Sequence, residues 1–268
     1  MSDGSRQKGE KVIFNNGSGR PAWLAPAALA VALLLVSCSG GVKDPQDALD
    51  RMIEAYGGEK NIPVLTSFEG RGFRKKIPAM QVATNYPFDI YQKGMMFKTR
   101  TYLVNSGQVQ DIQLLIIGEK GMLAWTRSLG VTNPPRWEAE MIKYKFPAVL
   151  DWIATAEPEG TRVGEELQDG MYRVRLQDGS NIITLGLDEE TWLLGEVSIE
   201  NVSDSTFSYI EAYKDYVKTD GIWFPNRFSG AFKGKPYYEY VIPVLRLGVD
   251  FPDGTFDFSE SDTTVTGS

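Results

Sequence analysis

The chain has 268 residues, a formal net charge of −7, one cysteine and no histidine. That composition leaves no His-based triad, imidazole base, His metal site, disulfide or cysteine metal cluster within it, so neither a cofactor nor a metal is expected. The acidic balance repels nucleic acid and anionic head groups, which removes nucleic acid from the expected partners.

The first feature in chain order is an apolar run from Ala22 to Val36, interrupted only by Pro26. It is preceded by Arg6, Lys8, Lys11 and Arg20 against Asp3 and Glu10. A basic start, an apolar core and small residues at its end describe a secretory signal, and the run falls short of the ~20 residues a membrane span needs. The single cysteine closes it, in Leu35-Val36-Ser37-Cys38. This tetrad resembles the lipobox of bacterial lipoproteins. The resemblance implies cleavage before Cys38, a diacylglycerol on its thiol and an acylated new amino terminus. The competing reading is an uncleaved anchor helix with an incidental cysteine. Cleavage removes residues 1–37 and leaves 268 − 37 = 231 residues, with 24 basic against 33 acidic side chains, a net charge of −9. Such a length suits one domain. Membrane attachment then comes from the acyl chains, because two or more of them anchor stably where one does not.

Residues 38–43 form the lipidated cysteine and a short Gly-containing tether. Asp44-Pro45 predicts a helix start, with Asp as cap and Pro in the first turn. Ala48, Leu49, Met52, Ile53 and Tyr56 recur at helical spacing as a core stripe, and Gly57-Gly58 ends the helix. From Leu65 the texture turns to β, with strands expected near 66–77, 80–92, 95–104, 108–118 and 121–127. A second set is expected near 161–168, 171–177, 180–188, 192–201, 206–218, 222–233 and 236–249. Asp169-Gly170, Asp178-Gly179 and Asp220-Gly221 supply hairpin turns. About eleven or twelve strands joined by short links must pair antiparallel. The run Tyr237–Leu247 is apolar on both faces and predicts a strand covered on both sides, in a curved sheet with something packed into its concavity. Between the two sets, 134–157 carries Trp137, Met141, Tyr144, Ala148 and Trp152 near helical spacing. Pro147 divides it into two short helices that cap or plug the sheet. Residues 259–268 read as an acidic flexible tail.

No catalytic constellation emerges, and the chain reads as a non-enzyme. Gly230–Lys235 approximates a P-loop but is one residue short and lies in a β stretch. Asp250, Asp253 and Asp257 lack EF-hand spacing and flank Pro252. Glu165-Glu166 and Asp188-Glu189-Glu190 read as solvated turn residues, and Asn201-Val202-Ser203 as a sequon without meaning in a bacterial protein.

Several stretches together resemble the outer-membrane lipoprotein-sorting proteins, the LolA/LolB-like carriers. They are Asp47–Gly58 with Leu65–Gly72, Tyr172–Leu176 with Leu187–Leu194, and Tyr213–Tyr216, Asp220–Arg227 and Val249–Phe256. The resemblance spans most of residues 47–258. It implies a mainly β fold over 44–258: an antiparallel half-barrel of about eleven strands enclosing short helices, with acyl chains of lipoproteins or lipids bound in the concave face. No position here aligns with the lid arginine of LolA-type carriers or with the protruding apolar loop of LolB-type acceptors. The lipobox makes the topology LolB-like. Ser39 stands where an Asp often retains lipoproteins at the inner membrane, which points to the outer membrane facing the periplasm. Alternation and helical spacing nominate Phe97, Trp125, Met141, Trp152, Phe228 and Tyr240 as cavity-lining residues, with ordinary core as the competing role for each. The expected function is lipoprotein or lipid sorting. The alternative is a non-catalytic sensor or scaffold that binds a periplasmic protein partner on the same fold.

Overall fold

The computed structural model describes residues 45–76, 84–102, 109–115, 122–126, 130–132, 141–156, 159–163 and 170–256. Cys38 and its lipobox, Glu165-Glu166, Asp169, Trp137 and the acidic tail lie outside them. Thirteen strands form a single antiparallel sheet. They are β1 (Ser67–Lys76), β2 (Thr84–Lys93), β3 (Met96–Tyr102), β4 (Val109–Leu115), β5 (Met122–Thr126), β6 (Gly130–Thr132) and β7 (Glu159–Val163), then β8 (Met171–Asp178), β9 (Asn181–Asp188), β10 (Leu194–Asn201), β11 (Asp204–Thr219), β12 (Ile222–Phe232) and β13 (Lys235–Leu247). The strand order is β6-β5-β4-β3-β2-β1-β13-β12-β11-β10-β9-β8-β7. The sheet is therefore two meanders, β1–β6 and β7–β13, joined where β1 pairs with β13. Thirteen strands replace the eleven or twelve expected; the addition is β6, three residues long. A strand that short leaves no alternation to read.

Among the described residues the helices are α1 (Pro45–Ala55), α2 (Ile62–Leu65) and α3 (Ala148–Ala156), with 3₁₀ turns at Glu59–Asn61 and Ile142–Tyr144. Helix α1 ends as its sequence predicts. The Gly57 N–H donates to Glu54 O at 2.8 Å and the Gly58 N–H to Ile53 O at 3.0 Å, while Gly57 adopts φ 92°. That pair of bonds is the Schellman arrangement, which a glycine at the left-handed position makes cheap.

One core joins the helices to the sheet. Ala48, Leu49 and Met52 of α1 are buried with Val174, Leu176, Leu185, Leu187, Val197 and Ile199 of the second meander. Tyr56 locks the joint. Its hydroxyl lies 2.8 Å from that of Tyr216, the Leu194 N–H donates to Tyr56 at 3.2 Å, and Tyr216 donates to Leu194 O at 2.6 Å. This closed ring satisfies every polar atom that the tyrosine brings into the core. At the other side, Val149 and Leu150 of α3 are fully buried.

Strand β13 is covered on one face only. Tyr238, Tyr240 and Ile242 are buried, while Pro243 and Val244 are exposed, Val244 to 58%. The two-sided apolar pattern thus marked apolar side chains left on the outer surface, which singly are ordinary for a soluble domain. The P-loop-like stretch Gly230–Lys235 is the β12–β13 hairpin, with Phe232 paired to Lys235. Asp220-Gly221 forms the β11–β12 turn, as Thr219 pairs with Ile222. At the β8–β9 turn Asp178 is the last paired residue, opposite Asn181, so the turn is Gly179-Ser180. Asp188 caps its own turn by accepting the backbone N–H groups of Glu190 and Thr191 at 3.2 and 2.8 Å.

Candidate functional site

The inner face of the sheet and the segment from Ile142 to Phe146 enclose a pocket with about 770 Å³ of empty space, part of it open to solvent. Its apolar walls come from Phe68 of β1, Ile90 of β2, Phe97 of β3, Phe228 of β12, Tyr240 and Ile242 of β13, and from Ile142 and Phe146. Phe146 holds the helical segment down. Its ring centroid lies 5.5 Å from Tyr56, 5.7 Å from Tyr213, 5.2 Å from Phe224 and 6.3 Å from Phe228. Its backbone N–H donates to the Tyr213 hydroxyl at 2.9 Å.

One end of the pocket is polar. Glu211 is only 4% exposed, and the Tyr209 hydroxyl donates to its Oε2 at 3.0 Å. With its own proton committed to Glu211, the Tyr209 hydroxyl accepts from Tyr238. The Tyr209 and Tyr238 hydroxyls are 2.7 Å apart. Burial first, and the neighbouring Glu211 charge second, push the hydroxyls of Tyr209, Tyr213 and Tyr238 well above the usual phenol range. All three therefore stay protonated donors, which is what a buried carboxylate requires of its surroundings.

Strand register explains this cluster. Glu211 pairs with Gly230, and Gly230 pairs with Tyr238. A Cβ on Gly230 would stand 2.5 Å from Tyr238 Cε1. The missing side chain lets the Tyr238 ring lie across β12 and reach Tyr209 and Glu211. Two cations border the same end. The Lys145 ammonium sits 4.7 Å from the Tyr209 ring centroid and 5.4 Å from that of Tyr238. The Arg74 guanidinium is 5.6 Å from the Tyr240 ring centroid. Both side chains line the pocket.

Of the six cavity residues that the sequence nominates, Phe97, Phe228 and Tyr240 meet in this pocket. Met141 is 2% exposed within the core. Trp152 is half-buried and packs edge-on against Tyr144, with centroids 5.1 Å apart. Trp125 is placed by its backbone alone, opposite Ile112 of β4 and Val131 of β6. The sequence reading overlooked Arg74, Lys145, Glu211 and Tyr238. Glu211 had a legible signal, since Tyr209, Glu211 and Tyr213 alternate onto one face of β11. Among the described residues no group of His, Cys, Asp or Glu side chains could hold a metal ion. No described helix is long and apolar enough to cross a membrane.

No family model and no curated protein matches the chain. Solved structures do. A DUF1329 family protein from Desulfovibrio piger is 11% identical over 83% of this chain and 100% of its own, with a TM-score of 0.55. A putative outer-membrane lipoprotein-sorting protein domain from Vibrio parahaemolyticus is 11% identical over 80% of this chain and 97% of its own, with a TM-score of 0.52. The chain shares the fold of these two structures. A LolA superfamily protein from Nitrosomonas europaea is 14% identical over 80% of this chain and 97% of its own, with a TM-score of 0.49. At these identities the likeness concerns the fold, a mainly β open sheet around short helices, which this chain builds with thirteen strands.

Proposed function

We propose that this protein is a lipid-anchored component of the bacterial envelope that binds acyl chains of lipoproteins or lipids and serves their sorting to the outer membrane. It faces the periplasm and is held at the membrane through an acylated Cys38. The observation that carries the reading is the pocket between the inner face of the sheet and the Ile142–Phe146 segment. It is concave and bounded mainly by Phe, Ile and Tyr side chains, with Arg74, Gln92, Lys145 and Glu211 as its charged and amide side chains. The protein acts by binding, without catalysis.

Mass spectrometry of the natively purified protein tests this directly. The expected result is a co-purified acyl lipid released on denaturation and absent from a Phe228→Trp variant, in which the larger ring fills the pocket. A lipid-free native protein that also fails to bind a fluorescent acyl probe saturably would favour the second reading, a sensor or scaffold for a protein partner. That reading draws on Phe73 and Val244, which are 50% and 58% exposed on the paired strands β1 and β13.

A further inference from the structure

The charge arrangement inside the pocket selects among acyl ligands. We infer that the ligand is a single-chain amphiphile with an anionic head group, and that Lys145 binds that head; the inference rests on the acyl-binding reading above. Two cationic side chains and one acid line the pocket. The acid, Glu211, is already engaged by the Tyr209 hydroxyl. Lys145 is not engaged in that way. Its ammonium contacts the faces of Tyr209 and Tyr238, and among the described residues it forms no ion pair with an acid. An ammonium held against two aromatic faces keeps its positive charge while its N–H donors stay available to an oxygen ligand.

The aromatic faces fix where Lys145 sits. The Tyr238 and Tyr240 rings lie 4.6 Å apart, with Lys145 over the first and Arg74 over the second. Both cations thus border one tyrosine pair at the polar end, while Phe68, Ile90, Phe97, Phe228 and Ile242 form the apolar walls. In a chain whose net charge is −7, two cations at an apolar pocket are a local reversal of sign. A carboxylate or phosphate head on one acyl chain matches that pattern: the chain occupies the apolar wall and the anion accepts from the Lys145 ammonium. A neutral acyl ester offers that ammonium a carbonyl oxygen but no opposing charge.

The test compares palmitate, its methyl ester and a lysophosphatidylglycerol as displacers of a fluorescent acyl probe. The protein is the chain from Ser39 onward, whose core lies wholly within the compact unit Val42–Ser268. Palmitate should bind about tenfold more tightly than its methyl ester, the size of one charge-assisted hydrogen bond. Lys145→Met should bring palmitate down to the affinity of the ester and leave the ester unchanged, and Lys145→Arg should restore the difference. Equal affinity of palmitate and ester for the unmutated protein would overturn the inference while leaving acyl binding intact, as would an unaltered ratio in Lys145→Met. Displacement by the lysophospholipid as strong as by palmitate supports the inference with a phosphate as the anion. Displacement by palmitate alone supports it with a carboxylate. If none of the three displaces the probe, or the probe itself does not bind, the acyl-binding reading fails and the head-group inference falls with it.

Discussion

Phe146 is the side chain on which the closure of the pocket depends, and Phe146→Ala tests that role. The ring is 4% exposed and lies within 5.2–6.3 Å, centroid to centroid, of Tyr56, Tyr213, Phe224 and Phe228. Truncating a buried phenylalanine costs about 3–5 kcal/mol, from lost transfer energy and the cavity left behind. Aromatic pairs add about 0.5–1.5 kcal/mol beyond burial. One side of Phe146 faces the pocket, so part of the new space merges with a void that already exists. This argues for the lower end of the range, about 3 kcal/mol. For a domain of this size the loss corresponds to a fall in Tm of about 6–12 °C. The assay is denaturant unfolding of the chain from Ser39, followed by far-UV circular dichroism, with a slope unchanged from the unmutated protein. A loss under about 1 kcal/mol at unchanged slope would refute the claim that Phe146 pins the helical segment to the sheet, because even a half-buried ring should cost more.

Other perturbations reach other levels of the argument. Cys38→Ala should give an uncleaved or soluble protein without an acyl chain, measured by mass spectrometry and membrane fractionation; a variant that loses its signal yet stays on membranes as well as the unmutated protein would sink the lipoprotein reading. Gly230→Ala should displace the Tyr238 ring, since the new Cβ would lie 2.5 Å from it, and should cost about 1–3 kcal/mol by breaking the Tyr238–Tyr209 hydroxyl bond; an unchanged denaturant midpoint would contradict the close approach. The Lys143 hydrogen bond, and then that of Tyr144, hold the Asp178 carboxyl below its usual range. A depressed folded value contributes stability above the unfolded pKa, near 4, that is lost as pH falls through the folded value. Asp178→Asn should therefore be less stable than the unmutated protein at neutral pH and equal to it in strong acid, and a gap that persists at both pH values would assign the effect to packing.

Strands are legible where residues alternate and turns carry small polar residues: Val197 and Ile199 of β10 are buried while Glu200 is exposed, and Gly179-Ser180 and Asp220-Gly221 close their hairpins. The exceptions have local causes. Strand β6 has three residues and no pattern of its own. Strand β13 carries Pro243 and Val244 on its outer face, and an apolar residue left in solvent has the same letter as a buried one. The pocket was legible in part. Phe97, Phe228 and Tyr240 alternate inward on their strands, and register then brings Phe228 opposite Tyr240. Lys145 could not be found this way, since it lies between two short helical pieces and meets Tyr209 and Tyr238 only through the fold. Gly230 was read as part of a weak phosphate-binding pattern. Its role here is to leave room for a ring on the neighbouring strand, a role that depends on pairing rather than on neighbours in sequence.

Trp152 is the clearest case in which sequence and structure assign different work to one side chain. Helical spacing places it on the same stripe as Met141 and Tyr144, and a large apolar ring on an insert next to a curved sheet is a reasonable cavity wall. In the structure it packs edge-on against Tyr144, at 5.1 Å and 81°, and does not border the pocket. Tyr144 in turn donates to Asp178 Oδ2 at 2.8 Å, and Lys143 reaches the same oxygen at 2.5 Å. Trp152 therefore supports the contact of the helical segment with the β8–β9 turn, away from the pocket. Half-burial removes part of the ~3–5 kcal/mol expected for a fully buried Trp→Ala, and the single edge-on pair returns about 1 kcal/mol, so Trp152→Ala should cost about 2 kcal/mol. Its affinity for a fluorescent acyl probe should stay within about twofold of the unmutated protein, because no wall of the pocket has moved. The two measurements separate the roles: a lower denaturant midpoint with unchanged probe affinity fits a support for Tyr144, and an unchanged midpoint with affinity lost tenfold or more would put Trp152 against the ligand and overturn this placement.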